Sequence, residues 1–307
     1  MEINSNPVLR RLLFPIIWMT KVLGRYCPAL LVRIRYFARF HKCLDLKDPK
    51  TLNEKILYMS LKTDTLLWTR LADKYRVRGY VEELGLKDIL VPIYGCWKTA
   101  AQIDFQQLPN RFVLKTVQGS GDVILIDDKS KINEREIRKS MDVAVKTKYG
   151  ELEGGKHYMR IQPAIIAEAL LDNDIESQQY STSIVDYKIW CFNGKPYYIW
   201  ACYNRDIMGA DVMTYDLDWR PHPEFSIFNK HYRQGAILPM PKNFQRMLEI
   251  AEKLAKPFPV VRVDLYNLDG KIYFGEMTFT SLGGLMNFYT DEFQLLAGDL
   301  IDVNYKG

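Results

Sequence analysis

Two short segments near the carboxyl end carry side chains that chemistry needs and a strand interior normally excludes. In Arg262-Val263-Asp264 and Glu276-Met277-Thr278, residues two apart share one strand face, so Arg262 points with Asp264 and Glu276 with Thr278. Asp269-Gly270 between the segments is a hairpin signal that sets them side by side. A carboxylate on a buried strand is costly unless it is paired or holds a cation. Two facing carboxylates repel each other, and a hard divalent ion with oxygen ligands, Mg²⁺, relieves that repulsion. The pattern is equally satisfied if each carboxylate pairs with Arg262 or a neighbouring lysine.

A second candidate lies in the first half of the chain. The strand-like run Arg111-Phe-Val-Leu-Lys115 enters Gly119-Ser120-Gly121-Asp122 and leaves through Val123-Ile-Leu-Ile126. A loop with Gly119 and Gly121 around Ser120 can turn several backbone N–H groups toward one phosphate, with Lys115 as a point charge beside it. It is not a Walker A loop, because no Gly-Lys-Ser/Thr is present and a strand follows. A plain turn has the same letters. In Ala164-Ile-Ile-Ala-Glu168-Ala-Leu-Leu171 one carboxylate interrupts an apolar run; Glu168 either bonds an adenine amino group or ribose, or faces water from an edge strand.

These groups need elements to hold them. Thr51-Leu-Asn-Glu54 reads as a capping box that opens a helix, and helical spacing continues through 75–84. Short β-rich runs are expected at 89–94, 112–115 and 123–126, and a polar-faced helix at 134–148. Strands follow at 164–171, 187–193 and 196–203, the last two joined by Asn193-Gly194. A helix over 244–255 and strands at 260–267 and 272–277 complete the series. The mixture of helices and antiparallel hairpins predicts an α+β (mixed α/β) fold.

At 307 residues, 48% apolar and 26% charged, the chain has material for two or three packed units and is not disordered or low-complexity. The net charge of +5 is unevenly placed. Residues 1–42 hold eight Lys/Arg against Glu2 alone, a balance of +7, and the remaining 265 residues sum to −2. A basic head on a nearly neutral body argues against nucleic acid as a partner and points to an anionic membrane surface. Leu12, Leu13, Ile16 and Ile17, then Leu30, Leu31, Ile34, Phe37 and Phe40, recur at helical spacing, and Pro15 and Pro28 are expected to break the head into short helices. Those helices either lie in a membrane interface or dock on the body with their basic residues solvated. The longest uncharged stretch in the head, Leu12–Thr20, is too short to span a bilayer. Five widely spaced Cys without a C-x-x-C pair fit a reducing compartment. The expected location is cytoplasmic, peripheral at the inner face of the cell membrane if the head binds lipid.

The order of the motifs resembles the ATP-grasp superfamily: a glycine hairpin with its lysine, an apolar linker with one Glu, then R-V-D and E-x-T, with Asp73-Lys74 opening an earlier helix. Thr51-Leu-Asn-Glu-Lys55, Ala72-Asp-Lys-Tyr75, Leu108 to Lys115, Gly119-Ser-Gly121, Asp186-Tyr-Lys188, Cys191-Phe-Asn-Gly194, Tyr215-Asp-Leu-Asp-Trp219 and Phe258 to Asp264 narrow it. Together they resemble the TupA-like ATP-grasp family of surface-polysaccharide gene clusters.

The resemblance implies two α+β subdomains gripping ATP: a helical segment over 1–48, an amino-terminal subdomain over 49–110, a lid over 111–185 and a metal-bearing subdomain over 186–307. It implies a ligase that activates a carboxylate as an acyl phosphate for attack by an amine, with ATP and Mg²⁺ as cofactors. Lys115 and Lys188 would hold phosphates under the Gly119, Ser120 and Gly121 loop. Glu168 and the backbone to Leu171 would read adenine. Asp264, Glu276 and Thr278 would hold Mg²⁺, and Arg262 would stabilise charge on the transferring phosphoryl group. Thr278 stands where Asn is usual, and Asp122 brings a carboxylate near the expected phosphates. Arg205, His222, His231 and Arg233, among aromatic residues, would suit an acidic sugar or glycan precursor, with an amine as co-substrate. The rival enzyme class is a glycosyltransferase of capsular polysaccharide synthesis, whose D-x-D letters occur at Asp216-Leu-Asp218. A further rival is a non-catalytic scaffold with a degenerate nucleotide site.

Overall fold

The computed structural model describes residues 7–307, with side chains from Phe14 onward. Helices α1 (Pro7–Tyr26) and α2 (Pro28–Phe40) form the head. Pro15 does not break it, contrary to expectation: α1 runs through Pro15, which removes one backbone donor without ending the helix. The break falls at Cys27, whose ψ of 55° is non-helical, with Pro28 opening α2 where its missing N–H costs nothing.

The head is docked at one end and bare at the other. Val32 and Tyr36 of α2 pack with Leu44, Leu46, Leu57 and Leu285, fixing the second helix on the body. At Gly24 a Cβ would stand 1.8 Å from the Glu151 carbonyl oxygen, so α1 crosses the 149–155 loop at van der Waals range. Arg25 Nε donates to Glu151 there at 3.1 Å. Phe14, Trp18, Met19, Leu30, Ile34 and Phe37 are exposed.

Three helices follow: α3 (Leu52–Lys62), α4 (Leu66–Ala72) and α5 (Val77–Glu83). The capping box at the start of α3 is formed, Thr51 accepting from Glu54 N and Glu54 from Thr51 N. Strands β1 (Ile93–Trp97), β2 (Phe112–Thr116), β3 (Val123–Ile126) and β4 (Ile165–Glu168) make an antiparallel sheet in the order β1-β4-β2-β3. Helices α6 (Glu134–Lys146) and α7 (Lys156–Met159) lie between β3 and β4. Met141 and Val145 of α6 seal that sheet's core with Phe112, Leu114, Ile126 and Ile165.

The larger sheet is built from β5 (Asp186–Phe192), β6 (Lys195–Tyr203), β7 (Ala210–Tyr215), β8 (Tyr232–Gln234), β9 (Val260–Leu268) and β10 (Lys271–Thr278), in the order β10-β9-β5-β6-β7-β8. Its pairings are antiparallel except β7 with β8. Helix α8 (Phe244–Ala255), inserted before β9, covers one face; α9 (Asp291–Asp299) lies beside α3 near the end of the chain. The pleat divides β9 cleanly. Val261, Val263 and Leu265 join the core with Ile250, Ala251 and Leu254 of α8, leaving Arg262, Asp264 and Tyr266 on the other face. The architecture is mixed α+β, as expected. The run at 89–94 is only partly strand: Lys87–Ile89 is a 3₁₀ turn and β1 starts at Ile93.

Candidate functional site

Asp264 lies directly opposite Lys188 of β5 on one side and Glu276 of β10 on the other. Glu276 owes that place to a bulge at Gly275: Phe274 pairs with Leu265, and the extra residue carries Glu276 rather than Gly275 opposite Asp264. The two carboxylates do not meet bare. Arg262 forks onto Asp264, Nε to Oδ1 and Nη2 to Oδ2 at 2.7 Å each, and Lys188 Nζ donates to Oδ2 at 2.6 Å. Arg262 also reaches Glu276 Oε1 at 3.4 Å, Thr278 Oγ1 at 3.2 Å and Ser281 Oγ at 2.7 Å. Thr278 donates its hydroxyl to Glu276 at 2.9 Å.

Burial opposes every charge in this group, and pairing decides the outcome. Against the cost of burial, Arg262 and Lys188 hold Asp264 below the ordinary carboxylate range. Asp186 and Asp264 likewise raise Lys188 above the usual lysine range. Asp186, whose Oδ2 is 2.6 Å from Lys188 Nζ, goes the other way: burial pushes its carboxyl up, and its Oδ1 is sealed without a partner.

The second group comes from the smaller sheet. Lys115 on β2 and Glu168 on β4 are ion-paired. β4 lies between β1 and β2, so Glu168 is on an interior strand and not at an edge. Beyond Lys115 the glycine loop is tied shut by the chain itself: Asp122 accepts a hydrogen bond from Thr116 Oγ1, whose oxygen accepts from Gly119 N at 3.1 Å. A Cβ on Gly119 would stand 2.4–2.5 Å from the Asp122 oxygens and Thr116 Oγ1, so only glycine fits under this latch. Gly121, at φ 81°, makes the turn. Asp122 therefore points inward, not to solvent.

Lys74, which the sequence offers only as half of an Asp-Lys pair, joins the two groups. It makes no helix-start ion pair with Asp73, which instead accepts from Tyr75 N and Arg76 N at 2.9 and 3.0 Å. Its Nζ donates to the Gly119 carbonyl at 2.6 Å. Burial lowers its pKa, partly offset by Glu276, Asp122 and Glu168, while Lys115 lowers it further. Burial pushes the Tyr149 hydroxyl up to about 12.

The expected acceptor residues are dispersed. Arg233 is taken up by Asp211 at 2.6 Å and Asp206 at 3.2 Å, His222 by Glu224 at 2.8 Å, and His231 Nδ1 lies 3.1 Å from the Met208 carbonyl. Arg205, 3.7 Å from Asp186, is the one of the four at the site. Asp216-Leu-Asp218 forms a turn, with Asp216 Oδ1 accepting from Asp218 N and Arg220 N at 2.9 and 2.8 Å. A carboxylate so engaged is a poor member of a D-x-D metal site.

Among the described residues no cluster of three His, Cys, Asp or Glu side chains is gathered for a metal. The oxygen donors suit a hard cation all the same: Glu276 is half-buried beside Asp264, and the charges that now satisfy Asp264 are those of Lys188 on the neighbouring strand β5 and Arg262 two residues away on β9.

A comparison with curated protein sequences gives no match. Solved structures that resemble the chain include D-alanine–D-alanine ligase from Bacillus anthracis complexed with ATP (13% identity, TM-score 0.41, covering 76% of this chain and 63% of that one). Others are the Helicobacter pylori D-alanine–D-alanine ligase (13%, 0.43, 83% and 68%) and N5-carboxyaminoimidazole ribonucleotide synthetase from Thermus thermophilus (10%, 0.42, 76% and 53%). The chain thus spans roughly half to two-thirds of the length of these proteins. The family model described as TupA-like ATPgrasp matches residues 54–302, which include every group of the site described above, and the chain belongs to the TupA-like ATP-grasp family.

Proposed function

We propose that the chain is an ATP-dependent carboxylate–amine ligase that works through an acyl phosphate. It would join an amino acid or amine to a uronic-acid-containing surface polysaccharide or its precursor. The observation that carries the reading is the convergence of Lys74, Lys115, Lys188 and Arg262 with Asp264 and Glu276 beside a glycine loop. Phosphoryl transfer passes through a loose transition state with charge spread over oxygens, so positioned cations are what the reaction needs from a protein.

In this reading Lys115 and Lys188 leave their carboxylate partners for the nucleotide phosphates, and Glu168 and the backbone to Leu171 read the adenine. Asp264 and Glu276, with Thr278, would hold Mg²⁺, which supplies charge neutralisation at the β- and γ-phosphates. Arg262 faces the transferring group. The Gly119–Gly121 loop, on a lid spanning 111–185, excludes water that would hydrolyse an acyl phosphate. Residues 186–307 carry the metal strands and 49–110 the amino-terminal subdomain.

The family likeness supports a surface polysaccharide as the setting. The head, with +7 in 42 residues and exposed Phe14, Trp18 and Phe37, supports peripheral attachment at the inner face of the membrane. No described helix is long and apolar enough to cross a membrane. The test is ADP release by the purified chain with ATP and Mg²⁺ against a panel of uronic acids and amines. Release that requires both partners supports the reading; release of sugar from a nucleotide sugar instead, or no ATP use with any pair, overturns it.

A further inference from the structure

One cation near the site comes from outside the matched family region. Arg35 projects from α2 of the head to the turn that follows the metal strand. That turn, Leu282-Gly283-Gly284, has φ of 49°, 66° and 76°, and Ser281 before it is held by Arg262 at 2.7 Å. A Cβ on Gly283 would stand 3.3 Å from Arg35 Nη1 and 3.2 Å from Glu153 Oε2, so the two charged groups flank a position kept empty of side chain. Yet they do not close on each other. Nη1 of Arg35 is sealed from solvent and has no hydrogen-bond partner.

Arg35 is only half-buried, but a guanidinium nitrogen sealed with an unused donor is costly and is retained most readily when a ligand completes it. Burial lowers the Arg35 pKa, and Glu153 offsets this only in part. Burial also pushes the Glu153 carboxyl above the ordinary glutamate range, and Arg35 pulls it back in part. The turn adjoins the phosphate end of the site through Ser281, whose hydroxyl Arg262 holds at 2.7 Å.

We propose that Arg35, with the Gly283–Gly284 turn, binds a carboxylate of the substrate, so that the head completes the specificity pocket of the enzyme. The inference rests on the ligase reading above and deepens it. The guanidinium fork suits a planar carboxylate, and the glycine turn lets that group approach the backbone closely. Two substrates of a carboxylate–amine ligase carry such a group, the uronic acid and an amino-acid co-substrate.

Calorimetric titration of the full chain, loaded with a non-hydrolysable ATP analogue and Mg²⁺, separates these sources. The probes are D-glucuronate and L-glutamate, with D-glucose and ethanolamine as uncarboxylated counterparts. Wild type is expected to bind one or both carboxylates and neither counterpart. Arg35→Met should weaken that carboxylate at least tenfold, Arg35→Lys should restore part of the loss, and affinity for the ATP analogue should stay within twofold. The probe that weakens names the source. Carboxylate binding unaltered in Arg35→Met overturns the proposal, as does wild type that binds neither carboxylate. If Arg35→Met unfolds, the Arg35→Lys titration decides alone: unaltered affinity sinks the idea and a severalfold loss supports it. Absence of ADP release with every substrate pair would count against the ligase reading and leave the binding result standing.

Discussion

Lys188 and Asp264 face each other across β5 and β9 with Nζ 2.6 Å from Oδ2, so the carboxylate proposed to hold Mg²⁺ is already neutralised by the protein's own cations. The same ammonium touches Asp186 at 2.6 Å. On the proposed reading, Lys188 would leave these carboxylates for a nucleotide phosphate, and that exchange of partners would couple nucleotide and metal entry at one residue.

That relationship changes what removal of Asp264 should do. Viewed as one of two repelling carboxylates, it would be dispensable for folding. Paired as it is, Asp264→Asn leaves Arg262 and Lys188 buried without their counter-charge. Breaking a buried pair from one side typically costs about 3–5 kcal/mol. We expect the variant to lose ATP turnover and to shift its urea midpoint down by a corresponding amount. A variant as stable as wild type would show that Arg262 and Lys188 find other partners.

The latch on the glycine loop predicts an effect on nucleotide affinity. Asp122→Asn can keep a hydrogen bond to Thr116 while removing a negative charge beside Lys74 and Ser120. Equilibrium binding of an ATP analogue should tighten severalfold at low salt, and the gain should shrink as screening rises. Weaker binding would mean that the charge of Asp122 orders the loop more than it repels phosphate. Proteolytic nicking near Gly119–Asp122 should fall when the analogue and Mg²⁺ are added.

His157 supplies a pH dependence whose sign is fixed. Buried edge-on against the stacked rings of Trp68 and Phe279 with Nδ1 unpartnered, it has a pKa lowered to about 3 by burial. The unfolded chain binds a proton near pH 6.5 and the folded chain does not, so stability falls as pH drops through 6.5 toward 3. Between pH 7 and pH 5 this one residue should remove about 2 kcal/mol. Chemical denaturation of wild type and His157→Phe across that range should give converging curves, with the variant flatter. Parallel curves would refute the assignment.

Membrane attachment should depend on surface residues of the head and not on its fold. Deleting residues 1–42 would strip Leu31, Val32 and Tyr36 from the core and confuse the two. Replacing exposed Trp18 and Phe37 with Glu leaves that packing alone. Full-length protein should float with anionic vesicles at low salt, and the double variant should not, at unchanged melting temperature. Equal flotation of both would exclude this apolar face as the anchor.

What the residues determined by themselves was local. The capping box at Thr51, the hairpin at Asn193-Gly194, helix α8 and the strand run at 260–267 follow from backbone sterics and side-chain period, and the ordered motifs identified the family. Tertiary structure decided the rest. Whether Gly275 or Glu276 would oppose Asp264 hangs on a one-residue bulge, which a period-two pattern does not encode. Whether Asp122 meets solvent or Thr116, and whether Lys74 pairs with Asp73 or reaches Gly119, depends on which surfaces fold over them. Arg35 lies far from every motif in the chain, and only the docking of α2 beside the turn at Gly283 brings it to the site. Charges on a chain have no partners until packing removes water, and the choice among partners is then made by distances that no local pattern contains.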